Sequence, residues 1–180
     1  MSTTSLLLAG FGGQGILFVG KFLAYKGLME DKQLSWLPSY GPEMRGGTAN
    51  CSVIISDEPI GSPIVDSPDC LMAMNLPSLD KFENSVVSGG KIFIDSTLIG
   101  RKINRNDVDS YYIPATKMAM DAGFANLANM IILGKMLKEC PEIGEGNVED
   151  VLKKIIPPKK ANLLEVNLKA LKMGYDYIGD

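Results

Sequence analysis

Residues 5–20 read SLLLAGFGGQGILFVG, and the fold turns on how they are divided. Residues 5–11 form a short continuous apolar run, the pattern of a strand buried on both faces of a parallel sheet. Gly10, Gly12, Gly13 and Gly15 then break the run, and from Ile16 to Met29 the apolar residues return at helical spacing, among them Ile16, Leu17, Gly20, Leu23, Ala24 and Leu28. A strand, a glycine loop and a helix in that order are the opening unit of an open α/β sheet.

The same alternation continues outward. Residues 33–37 form a second strand candidate ended by Pro38, and residues 48–55 (TANCSVII) a third, rich in β-branched side chains. Residues 69–75 (DCLMAMN) form a fourth, followed by a short helix from about Ser78. Residues 90–95 (GKIFID), after a Gly-Gly turn, and 111–114 (YYIP) complete the strands.

The rest is helical. Leu127, Met130, Ile131, Gly134 and Leu137 mark one helix face that ends before Pro141. Asn147 opens a helix that buries Val148, Val151, Leu152 and Ile155, stopped by Pro157 and Pro158. Leu164, Leu168, Leu171, Tyr175 and Ile178 mark the last. The expected fold is α/β: a Rossmann-like open, mostly parallel sheet with helices on both faces and a helical C-terminal third. With no internal repeat and no long linker, residues 1–180 are expected to form a single domain.

Composition narrows the function. A formal charge of −3 and the lack of any basic run argue against nucleic acid or an anionic membrane as a partner. No apolar segment approaches the ~20 residues that span a bilayer. The first apolar run lacks a positive leading segment and breaks into glycines, so a secretory leader is not expected and a cytoplasmic location is. Three cysteines, Cys51, Cys70 and Cys140, lie far apart without a CxxC pair, and read as buried free thiols. The chain has no histidine. General acid–base chemistry near neutral pH would fall to a perturbed carboxylate, Lys, Cys or Tyr, which disfavours a self-contained hydrolase or metalloenzyme.

GFGGQG fits G-x-G-x-x-G through Gly10, Gly12 and Gly15. Glycines there let backbone approach a diphosphate, and free N–H groups at the helix start attract its charge. They equally serve close helix–strand packing, so a possible phosphate-facing loop made of Gly10, Gly12, Gly13, Gln14 and Gly15 stands beside a purely structural one. A dinucleotide site also wants an acidic residue at the end of the second strand. That strand ends in Leu37, Pro38 and Ser39, while Glu30 and Asp31 come before it, facing solvent.

The stretch PSYGPEMRGG should reach the same sheet edge as the glycine loop. Tyr40, Glu43, Arg45, Gly46 and Gly47 would then join Gln14 on one surface. Arg45 either forks onto a carboxylate or phosphate, or pairs with an acid such as Glu43. The acidic stretch IISDEPIGSPIVDSPD, with Asp57, Glu58, Asp66 and Asp69, reads as a contact arm or as a hairpin with a solvated rim.

Four ordered segments carry a resemblance: GFGGQGILFVGKFLA, then SWLPSYGPEMRGG, the TANCSVIISDEPIGSPIV that follows it, and AMNLPSLDKF. Together they resemble the gamma subunit of 2-oxoacid:ferredoxin oxidoreductases, in the 2-oxoglutarate and branched-chain 2-oxoacid (ketoisovalerate) branch. The resemblance implies one subunit of an enzyme that converts a 2-oxoacid, coenzyme A and oxidised ferredoxin into an acyl-CoA, carbon dioxide and reduced ferredoxin. It implies thiamine diphosphate, Mg and 4Fe-4S clusters held by partner subunits, called alpha, beta and a ferredoxin-like delta, with coenzyme A as co-substrate. No catalytic or metal-binding residue is expected in this chain. Gln14, Tyr40, Glu43 and Arg45 would serve docking and orientation. The competing readings are a free-standing NAD(P)-dependent oxidoreductase and a non-enzymatic nucleotide-binding module.

Overall fold

A computed structural model describes residues 2–39, 48–144 and 146–179, with the side chain of Thr48 left aside. Its centre is the predicted strand. β1 (Thr3–Phe11) holds Leu6, Leu7, Leu8 and Ala9 buried, as a strand covered on both faces requires. The helix after the glycine loop is α1 (Ile16–Met29). β2 (Gln33–Ser39), β3 (Thr48–Ser56), β4 (Cys70–Ala73), β5 (Lys91–Asp95) and β6 (Asp109–Ile113) complete one six-stranded sheet in the order β2-β3-β1-β4-β5-β6.

Five strands run the same way and β3 runs against them: β1 pairs parallel with β4, β4 with β5 and β5 with β6, while β3 is antiparallel to both β1 and β2. The connector between β2 and β3 covers only residues 40–47, too short for the crossover that parallel neighbours need.

Alternate residues on the strands feed two cores. Leu6, Leu8, Cys51, Val53, Met72 and Phe93 face α1 and the C-terminal helices, whereas Leu7, Leu71, Ala73, Ile92 and Ile94 face a smaller core closed by α2 (Leu76–Phe82). Helices therefore lie on both faces, unequally. Asn75 caps α2 by accepting from the Ser78 N–H at 2.8 Å, so the helix starts two residues earlier than the sequence indicates.

The remaining helices are α3 (Ala115–Asp121), α4 (Ala128–Glu139), α5 (Val148–Ile155) and α6 (Leu163–Asp176). α6 corrects the sequence reading. It is buried through Asn167, Ala170, Leu171 and Gly174, while Leu164 and Leu168 are only half-buried and Ile178, beyond its end, is 93% exposed. Leu171 is buried as read, but small residues take the place of the other leucines because α6 approaches α4 backbone to backbone. A Cβ on Gly174 would stand 1.7 Å from the Ile131 carbonyl oxygen, and one on Gly134 would stand 1.9 Å from that of Leu171.

α1 departs from expectation too. Leu28 is exposed, and Lys26 is fully buried in the same turn, its ammonium donating to Glu30 at 2.6 Å and to the Gly146 carbonyl at 2.7 Å. That pair anchors α1 to the start of α5 and takes Glu30 out of free solvent.

Residues 57–69 cross the amino end of β1, between β3 and β4, as irregular chain, so the hairpin reading fails. Both ends are tied down. Asp57 accepts from the Ser2 N–H at 2.7 Å and pairs with Lys32, while Asp69 accepts from the N–H and hydroxyl of Ser5 at 2.8 and 2.7 Å. No helix among the described residues is long and apolar enough to cross a membrane.

Candidate functional site

Ligands of open α/β sheets gather outside the carboxyl ends of the strands. Here β1 delivers the glycine loop to that edge, and the register places the end of β2 and the start of β3 beside it. Phe11 is opposite Thr48, and Ala9 and Ser39 both flank Asn50. Tyr40, Glu43, Arg45, Gly46 and Gly47 themselves lie outside the described residues.

Each glycine of the first loop has its own local cause. Gly10 has no room for a side chain, since a Cβ would meet Gln14 Oε1 at 2.6 Å. Gly13 and Gly15 take φ of 91° and 75°, the left-handed region that other residues avoid. Gly12 and Gly13 are exposed at the edge. Gln14 is committed internally: its amide oxygen accepts from the Phe11 N–H at 2.6 Å and its amide nitrogen donates to the Met74 carbonyl at 3.1 Å, joining the ends of β1 and β4.

Two residues that sequence reasoning passed over support the same edge. Asn129 of α4 donates from Nδ2 to the Gly15 carbonyl at 3.2 Å, fixing the start of α1. Asp95, fully buried at the end of β5, accepts from the Thr97 and Thr116 N–H groups and from the Thr116 hydroxyl at 2.5 Å. A carboxylate after a strand was a visible signal for the second. Nothing in the sequence marked Asn129.

The cleft between these parts is about 200 Å³ and is lined by Gly13, Gln14, Met74, Leu98, Thr116 and Asn129, among others. Small-molecule sites usually enclose ~300–1,000 Å³. Glu30 and Asp31 follow α1, whose 14 residues place them about 21 Å from the loop. Neither can serve a ribose bound there, and the free-standing dinucleotide enzyme is not favoured.

The edge is instead apolar at its tips. Phe11 ends β1, Leu37 lies near the end of β2, Leu76 follows β4 and Leu98 follows β5, each 39% to 45% exposed. Isolated exposed leucines mean little, but four large apolar side chains exposed at the ends of four strands along one edge are the character of a protein-binding surface.

The three cysteines are all buried and free, as read from the sequence. Cys51, beneath the start of α1, has its thiol pushed up to about 12 by burial, so it stays protonated and inert.

Residues 5–177 match the pyruvate ferredoxin/flavodoxin oxidoreductase family. The chain belongs to it. It is 40% identical over 171 residues to ketoisovalerate oxidoreductase subunit VorA of Methanothermobacter thermautotrophicus, covering 94% of this chain and 35% of that one. The chain thus spans about a third of the length of that relative. It is 34% identical over 172 residues to 2-oxoglutarate synthase subunit KorC of Methanocaldococcus jannaschii, covering 94% of this chain and 90% of the other. Among solved structures it is similar to the gamma subunit of a keto/oxoacid ferredoxin oxidoreductase from Geobacter sulfurreducens, with a TM-score of 0.81, 28% identity and 96% of each chain covered.

Proposed function

We propose that this chain is the gamma subunit of a multi-subunit 2-oxoacid:ferredoxin oxidoreductase of the 2-oxoglutarate or ketoisovalerate type, working in the cytoplasm. The single observation that carries the reading is the carboxyl edge of the sheet, where Phe11, Leu37, Leu76 and Leu98 are exposed at strand ends and the cleft that Leu98 lines is too small to enclose a substrate. Such an edge suits docking against catalytic subunits better than independent chemistry, and a chain without histidine has no side chain whose ordinary pKa lies near neutrality. The names carried by the VorA and KorC relatives supply the substrate class.

In this reading residues 1–180 act as one domain. Thiamine diphosphate, Mg and 4Fe-4S clusters are held by the alpha, beta and delta partners, and electrons leave to ferredoxin. The glycine loop, from Gly10 to Gly15, faces the coenzyme A path, with backbone N–H groups at the start of α1 oriented toward phosphate. Tyr40, Glu43, Arg45, Gly46 and Gly47 form the adjoining contact with the partner subunits.

The test is capture of the tagged chain from its native extract, followed by viologen reduction with coenzyme A and each of several 2-oxoacids. Co-elution of thiamine diphosphate and iron–sulfur subunits, with activity that the lone chain lacks, is the expected result and names the substrate. A monodisperse lone chain that recruits nothing and binds NAD tightly would overturn the proposal.

A further inference from the structure

At the opposite, amino edge of the sheet the fold brings together groups that sequence spacing kept apart. Cys70 opens β4, and Cys140, seventy residues later, caps the end of α4; their sulfurs are 3.5 Å apart. Glu142, in the short turn after α4, completes a set whose donor atoms all lie within 4.8 Å of one another. Lys91 is opposite Cys70 in the β4–β5 register, and its ammonium stands 3.6 Å from Glu142 Oε1.

We propose that Cys70, Cys140 and Glu142 form a binding site for a thiophilic divalent cation of the zinc class. Around zinc, with Zn–S near 2.3 Å, two tetrahedral thiolates stand about 3.8 Å apart. A disulfide would need about 2.05 Å. The observed separation, that of a thiol–thiol hydrogen bond in the metal-free chain, lies within a few tenths of an ångström of the first geometry and far from the second.

Charge balance points the same way. Two thiolates and one carboxylate carry three negative charges, Lys91 returns one positive, and a divalent cation neutralises the remainder. Binding forms two metal–sulfur bonds and one metal–oxygen bond and releases both thiol protons to solvent. A cavity of about 320 Å³, lined by Thr3, Thr4, Asp69, Lys91 and Glu142, opens on the carboxylate side of the set, while both sulfurs lie buried behind it. The site lies at the edge away from the glycine loop, so its role is to fasten the sheet to α4.

The decisive experiment titrates the full chain, reduced and freed of metal, with Zn²⁺ against a chromogenic chelator and with Co²⁺ followed optically. The expected result is one equivalent per chain, with near-ultraviolet thiolate-to-cobalt charge transfer and a raised thermal midpoint. Glu142→Gln, at an exposed position, should weaken binding at least about tenfold without unfolding the chain. Cys140→Ser should remove the charge-transfer band, and Cys51→Ser should leave both unchanged. Absence of the band in the folded parent chain, or its survival in Cys140→Ser, would overturn the proposal. So would a Cys70–Cys140 disulfide whose reduction yields a chain that takes up no metal.

Discussion

Replacing Gly174 by alanine tests the packing of α6 on α4. The new Cβ would stand 1.7 Å from the Ile131 carbonyl oxygen, and approaches under 3.0 Å are essentially never tolerated. The obstacle is backbone, which cannot rotate away, so the two helices must part by more than 1 Å. A gap of that size forfeits about half or more of the dispersion energy of the facing atoms. Overpacking of this kind costs about 1–3 kcal/mol, and a backbone clash belongs at the upper end. Alanine's helix propensity returns about 1 kcal/mol. The net loss is therefore about 2 kcal/mol, a fall of about 4–8 °C in the midpoint of a chain this size. Circular dichroism melts, with urea midpoints as a second measure, would read it. Gly61→Ala, where nothing lies within 4 Å, is the control and should change little. A Gly174→Ala midpoint equal to or above the parent's would refute the reasoning. Gly134→Ala should behave alike, and the double variant should lose less than the two singles together, because one separation of the helices accommodates both.

Leu98→Asp should leave the isolated chain within about 0.5 kcal/mol of the parent yet weaken its association with the catalytic subunits by about 2 kcal/mol, roughly thirtyfold; co-sedimentation that survives unchanged would remove Leu98 from the interface. Gln14→Ala deletes the bonds to Phe11 and Met74 and should cost about 1–2 kcal/mol. Hydrogen exchange at the Phe11 amide should accelerate, and unaltered exchange would contradict the stitching role. Asp57, whose carboxyl the hydrogen bond from Lys32 holds down at about 2, stabilises the fold above pH 4 and loses that contribution as the pH falls toward 2. In Lys32→Ala its carboxylate NMR titration should move up toward 3.8, and a midpoint still near 2 would assign the shift to the Ser2 N–H instead.

What was legible in the sequence follows from how each feature is encoded. β1 and α1 are local signals: an unbroken apolar run, glycines, then helical spacing, all within residues 5–29. The reversed direction of β3 was also available, since eight residues cannot make a parallel crossover. α6 was misread because leucines advertise burial more loudly than glycines do. Where backbones touch, Ala170 and Gly174 share the buried face with Leu171 and Asn167, while Leu164 and Leu168 are only half-buried. Leu28 is exposed against expectation while Lys26 is buried beside it, because a lysine can be buried once its ammonium finds Glu30 and the Gly146 carbonyl, a contact 120 residues away that no window can see. The candidate site divides along the same line. Gln14 and the glycines announced themselves, whereas Asn129 and the meeting of Cys70 with Cys140 depend on helices returning from the far end of the chain.

The reversed strand β3 also governs how this protein can vary. It is shared by two ladders, so its register sets the heights of β1 and β2 at once, and with them the separation of the ends of those two strands, about 10 Å for two strand spacings. Losing one residue within β3 would turn Cys51, Val53 and Ile55 from the core to the opposite face. Inherited change in the spacing of the two loops is therefore blocked inside the strands and confined to the lengths and side chains of the loops. A lineage acquiring a new partner or ligand at this edge would rewrite residues 40–47 while leaving the frame that carries them untouched.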